Sequence, residues 1–159
     1  MIDINEALIF ATRKHSKQKR KNGTPYIWHP IGVALMLKEA GFDEKYQTVG
    51  LFHDLLEDTD ATEEEILFYG DESVLEAVIL LTKEEGYIEE DYFGRILENP
   101  IAKAVKNMDR IYNLRDSVNA GAEFVDKYLK ETEKWFLGKF SPELDEEYYR
   151  IRKIQKSFE

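Results

Sequence analysis

Apolar residues recur three and four positions apart along almost the whole chain, and no segment alternates convincingly at period two. That spacing belongs to one-sided helices rather than strands. A first helix is expected from about Asn5 to Lys19, with Ala7, Leu8, Phe10 and Ala11 facing inward. Asn22-Gly23-Thr24-Pro25 reads as a loop. Pro30 suits the first turn of a helix through Ala40, which Gly41 ends. Asp43 is placed to cap a helix reaching about Leu56, and Thr62 with Glu65 forms a capping-box pattern for a short helix closed by Gly70. Further helices are expected at 72–84, 89–98, 101–117 and 122–138, with Pro100 separating the second and third of these. Ser141-Pro142-Glu143 opens a last helix that carries acids early and bases late, as the helix dipole prefers. The predicted fold is all-α, a compact multi-helix globule. No repeat or linker-like stretch interrupts it, so residues 1–159 are read as one domain.

Composition narrows the picture. Hydrophobic residues make up 43% and aromatics 13%, enough for a packed core in 159 residues. The absence of cysteine excludes disulfides, thiolate nucleophiles and thiolate metal sites, and it fits a reducing compartment. The first residues, MIDINEALIFATRKH, lack the pattern of a secretory signal, and no apolar run approaches the ~18 residues of a membrane span. A cytoplasmic protein without membrane attachment is expected. The net charge of −10 is the wrong sign for a duplex nucleic-acid binder. Against it, residues 13–21 (RKHSKQKRK) hold six Lys or Arg and no acid. Part of that run (Arg13, Lys14, Lys17) reads as a solvated helix face.

Three clusters carry the candidate chemistry. In His53-Asp54-Leu-Leu-Glu57-Asp58, helical spacing would crowd an imidazole and three carboxylates onto one face of an otherwise apolar helix. Burying such groups unpaired is costly, and a divalent cation would offset the cost. Asp109 borders the apolar stripe of Ile101–Tyr112, with Asn113 one turn further on. His29 sits between the aromatic run Tyr26-Ile27-Trp28 and Pro30, where the proline restricts its backbone. Two imidazoles and two carboxylates would make a mixed nitrogen and oxygen shell suited to Mn²⁺, Fe²⁺ or Zn²⁺. His15 is expected to pack or hydrogen-bond near this site rather than to bind a metal.

The stretches HSKQKRKNGTPYIWHP, LFHDLLEDT and VKNMDRIYNLRD, in that order and spacing, resemble the successive motifs of the HD-type alarmone hydrolases. These comprise the hydrolase domains of Rel/Spo enzymes and small stand-alone hydrolases, and the resemblance covers roughly residues 5 to 118. It implies an all-α HD-domain fold and removal of the 3′-pyrophosphate from guanosine tetra- and pentaphosphate, usually with Mn²⁺. It further implies His29, His53, Asp54 and Asp109 as metal ligands. Glu57 and Asp58 match the acidic pair that handles the attacking water. Arg20, Lys21 and Asn113 match nucleotide contacts, Lys83 a phosphate-binding lysine, and Lys127-Tyr128 a phosphate-side contact. Departures exist: Asn107-Met108 and Tyr112 replace the commoner Leu-Ala and His, and Trp28 is bulkier than usual before the motif histidine. The family's bifunctional members carry a further synthetase domain, for which this chain is too short, so hydrolysis alone is expected.

The leading expectation is therefore a metal-dependent 3′-pyrophosphohydrolase of guanosine 3′,5′-bis(diphosphate). Two alternatives are an HD-type phosphatase acting on another phosphorylated nucleotide such as NADPH, and a non-catalytic nucleotide-binding regulator. Intact Glu57 and Asp58 argue against the regulator. Serine-hydrolase and P-loop chemistry lack their motifs, since neither GxSxG nor GxxxxGK[ST] is present.

Overall fold

A computed structural model describes residues 1–157, and among these all regular structure is helical apart from one isolated bridge between Lys19 and Pro25. The chain divides into two compact units, Met1–Val105 and Lys106–Glu159.

The first unit holds α1 (Ile4–Lys14), α2 (Trp28–Glu39), α3 (Glu44–Phe52), the single turn α4 (Leu55–Asp58), α5 (Glu63–Tyr69), α6 (Glu72–Leu81) and α7 (Glu89–Glu98). Two of its starts, α3 and α5, follow the caps read from the sequence. Asp43 accepts from the Lys45 and Tyr46 amides, and Thr62 with Glu65 makes the reciprocal capping box. Helix α3 is central, packed by α1, α2 and α6. Phe10, Val33, Leu37, Val49, Phe52, Leu55 and Val78 are all fully buried in this unit. Gly50 explains how closely α2 and α3 approach. A Cβ there would stand 3.0 Å from Leu37 Cδ1 and 3.3 Å from the Ala34 backbone, so glycine lets the helices meet three residues before His53 without displacing either neighbour.

The expected helices 72–84 and 122–138 end early, at Leu81 and Trp135, and two others depart further. The first stops at Lys14 rather than Lys19, with His15, 1% exposed, as its C-cap. The basic residues that follow therefore lie on a loop, not on a helix face. Leu8, expected inside, is 37% exposed, on the far side from Ala7 and Phe10. The expected helix 43–56 breaks at His53-Asp54, so His53 and Glu57 do not share one continuous helix. The cause is local. The His53 Nδ1 lies 2.6 Å from the Gly50 carbonyl, the acceptor that the Asp54 N–H would need for the helix to continue.

Helix α8 (Pro100–Ser117) starts in the first unit and runs into the second, which also holds α9 (Ala122–Trp135) and α10 (Pro142–Ser157). Leu114, Val125, Leu129, Tyr148 and Ile151 form the second unit's core. Ser141 ties α10 to α8 by donating to Asn107 Oδ1 at 2.8 Å, while its own Oγ accepts from the Leu144 amide. No helix among the described residues is long and apolar enough to cross a membrane.

Candidate metal and acid site

In the first unit His29 rises from the first turn of α2 and His53 from the break after α3. Their rings lie 5.3 Å apart, edge to face, with the side chains 2% and 5% exposed. Asp54 completes a His/His/Asp cluster. Its Oδ2 stands 3.1 Å from His53 Nε2 and 4.0 Å from His29 Nε2. A carbonyl can only accept, so the His53 nitrogen facing Gly50 carries the hydrogen and donates it. In the neutral ring Nε2 then bears a lone pair, 3.1 Å from the Asp54 carboxylate oxygen.

One further residue acts on this cluster without having been singled out in the sequence. The Tyr26 hydroxyl donates a hydrogen bond to Asp54 Oδ2, and its ring leans on both His15 and His29. The signal was present in the aromatic run before His29, where only the histidine was weighed.

Glu57 and Asp58 sit on α4, immediately beyond Asp54, and the three carboxylates offer oxygens within 4.8 Å of one another. Glu57 Oε1 accepts the Lys83 backbone N–H at 2.7 Å. The Asp58 carboxyl is pushed up to about 6, first by burial, then by the charges of Asp54 and Glu57.

The remaining predicted residues fall in three places. Arg20 and Lys21 lie on the loop after α1, with the Arg20 guanidinium 5.8 Å from the Tyr26 ring centre. Lys83 follows α6, its ammonium over the rings of Tyr87 and Tyr92 at 5.4 and 5.5 Å. In the second unit Asp109 and Asn113 stand one turn apart on α8, and Asn113 donates to Asp109 Oδ1 at 3.2 Å. Tyr128, on α9, joins these two electrostatically. Its hydroxyl pKa is raised, foremost by burial, with Asn113 as a hydrogen-bond neighbour. One face of its ring carries the Arg110 guanidinium at 4.0 Å. Arg110 itself is buried, bound to Glu131 at 2.7 Å, and was not foreseen from the sequence.

Comparison with known proteins agrees with this arrangement. The HD-domain family profile matches residues 7–87. The guanosine-3′,5′-bis(diphosphate) 3′-pyrophosphohydrolase of Aquifex aeolicus is 41% identical over 139 residues, covering 82% of this chain and 20% of that one. The human protein named guanosine-3′,5′-bis(diphosphate) 3′-pyrophosphohydrolase MESH1 is 42% identical over 120 residues, covering 70% of this chain and 67% of the human one. The chain thus spans about a fifth of the Aquifex relative and two thirds of the human one. A solved structure described as a metazoan ortholog of SpoT that hydrolyzes ppGpp superposes with a TM-score of 0.75 at 26% identity, covering 96% of this chain and 94% of that one. Profile, relatives, helical fold and paired histidines agree, and the chain belongs to the HD-domain family.

Proposed function

We propose that this chain is a metal-dependent phosphohydrolase that removes the 3′-pyrophosphate from guanosine 3′,5′-bis(diphosphate) and its pentaphosphate, with Mn²⁺ as the ion. The observation that carries the reading is the meeting of two imidazole nitrogens on one carboxylate oxygen, at 3.1 and 4.0 Å, in a buried corner. A lone pair so close to an anion is repulsive unless a cation or a proton offsets the charge. A nitrogen, nitrogen and oxygen donor set suits a divalent ion. The Gly50 carbonyl that fixes the His53 tautomer is the kind of outer partner metal-binding histidines use. His29, His53 and Asp54 would hold the ion, with Asp109 as the fourth donor by its place in the family motif. The names of the relatives supply the substrate.

When bound, the ion would lower the pKa of a water and polarise a phosphoryl oxygen. Glu57, held by the Lys83 amide, and Asp58 order the attacking water and take its proton. The water oxygen joins the phosphorus of the 3′-group, the bond from phosphorus to the 3′-oxygen breaks, and that oxygen leaves with a proton. The products are pyrophosphate and guanosine 5′-diphosphate from the tetraphosphate, or guanosine 5′-triphosphate from the pentaphosphate. A carboxyl titrating at about 6 can exchange protons close to neutrality. Arg20, Lys21 and Lys83 offset the substrate's charge, which a chain of net charge −10 would otherwise repel. Asn113 and Tyr128 contact the nucleotide. On this reading residues 1–159 act as one hydrolase domain, as a structural match over 96% of the chain supports.

The test is incubation of the purified protein with Mn²⁺ and a nucleotide panel, with products separated by chromatography. Pyrophosphate and guanosine 5′-diphosphate from the tetraphosphate are expected. Phosphate released from NADPH alone would move the substrate elsewhere. Binding without turnover of any nucleotide would make the chain a regulator.

A further inference from the structure

Helix α4 is one turn long, Leu55–Asp58, and carries both proposed proton-handling acids. A four-residue helix does not hold itself in place, since nucleation costs more than one turn returns. Its last carbonyls also lack partners within the helix. Its position must be set from outside, and the loop after α1 does this twice. The Gln18 side-chain amide donates to the Asp58 carbonyl. The Gln18 backbone carbonyl accepts the Tyr26 N–H at 2.9 Å, and the Tyr26 hydroxyl in turn donates to Asp54.

The orientation of Gln18 follows from its neighbours. The Asp58 carbonyl can only accept, so the atom facing it is the amide nitrogen. Gln18 Oε1 then faces His15 Nδ1 at 2.6 Å and must accept from it. His15 is 1% exposed, so the acceptor side of the amide is anchored in a buried ring. Around the loop, the Arg20 N–H to Thr24 carbonyl bond at 2.8 Å and the Lys19–Pro25 bridge hold the strands of the turn together.

We infer that Gln18 is a positioning residue: clamped by His15, it locates α4, and with it Asp58, against Asp54. The inference rests on the proposed hydrolase reading for its consequence and on hydrogen bonding alone for its geometry. Among the described residues, the Gln18 side chain hydrogen-bonds to His15 and the Asp58 carbonyl, neither of them a proposed metal ligand or substrate contact. Loss of the clamp should therefore slow the chemical step and spare metal and substrate binding.

The experiment compares wild type, Gln18→Met, which keeps length and loses both hydrogen bonds, and Gln18→Asn, which keeps the amide on a shorter stem. Each is measured for kcat and KM on guanosine tetraphosphate with Mn²⁺, for bound metal, and for hydrogen exchange at the Asp58 and Thr59 amides. Those amides bond to the Asp54 and Leu55 carbonyls at 2.9 and 3.0 Å and report α4 directly. Expected for both variants are a kcat lowered about tenfold or more, KM and metal content within about twofold, and exchange at both amides faster by a similar factor. Unchanged kcat in a folded variant, a raised KM at constant kcat, or lost metal overturns the inference. So does unchanged exchange. A wild type without turnover overturns the hydrolase reading and with it the catalytic consequence. Exchange then still decides whether Gln18 holds α4, and unchanged exchange refutes that too.

Discussion

Glu57→Gln isolates charge from placement, because the glutamate has a visible structural duty besides its proposed chemical one. Its Oε1 accepts the Lys83 amide at 2.7 Å, and a glutamine oxygen can take the same bond. The amide substitution thus keeps the tie between α4 and the end of α6 and removes only the negative charge and the proton-accepting capacity. A positioned acid or base contributes ~10²–10⁴-fold, so kcat should fall by at least about two orders of magnitude, or ~2.7 kcal/mol at ~1.36 kcal/mol per tenfold. Melting temperature should stay within a degree or two. Glu57→Ala removes the acceptor as well. A net hydrogen bond is worth ~1 kcal/mol, and in a chain of this size that is roughly 2–4 °C of melting temperature. The assay is steady-state hydrolysis of guanosine tetraphosphate with Mn²⁺, beside metal analysis and thermal melting of the same preparations. Glu57→Gln that keeps near wild-type kcat removes Glu57 from the chemistry. Loss of metal together with activity would make it a ligand and refute the division of roles.

Asp54→Asn should strongly reduce bound divalent metal, since Asp54 Oδ2 is the oxygen that both imidazole nitrogens approach; a folded variant with full metal content would remove it from the shell. Mn²⁺ at about 100 times its Kd should stabilise the wild type by roughly 2.7 kcal/mol, several degrees of melting temperature, and identical melting with and without chelator would refute a structured site. Asp58, raised to about 6 in the metal-free protein, makes folding take up a proton between about pH 4 and 6. Its contribution to stability is therefore full below the unfolded pKa and lost as pH rises through about 6. Carbon-13 titration of its carboxyl should show a midpoint near 6 that falls when Mn²⁺ binds, and an ordinary midpoint near 4 without metal would refute the desolvated environment. In the second unit Leu129→Ala should cost ~2–5 kcal/mol by denaturant unfolding, because Leu129 is 2% exposed in the core with Leu114, Val125, Tyr148 and Ile151; a cost below 1 kcal/mol would mean that core is not packed as described.

The helical class and most helix starts were legible in the sequence alone, because each depends on local chemistry. Period-3.6 apolar spacing, Asp43 and Thr62-Glu65 as caps, and imidazoles or carboxylates beside apolar runs are short-range signals. Where a boundary depended on something distant or on a side chain competing with the backbone, local reading went astray. It ran the first helix to Lys19, but His15 caps the helix and takes a glutamine partner, and the basic run is a loop. It joined His53 to Glu57 on one helix, but the His53 ring took the Gly50 carbonyl and broke the ladder. Tyr26 and Gln18 were passed over for a related reason. Neither is a charged or metal-binding type, and they reach the acids through partners 28 and 40 residues away in the chain. Hydrogen bonds across such separations leave no periodicity in a sequence, so only the tertiary structure could decide that a neutral tyrosine and glutamine hold the acids in place.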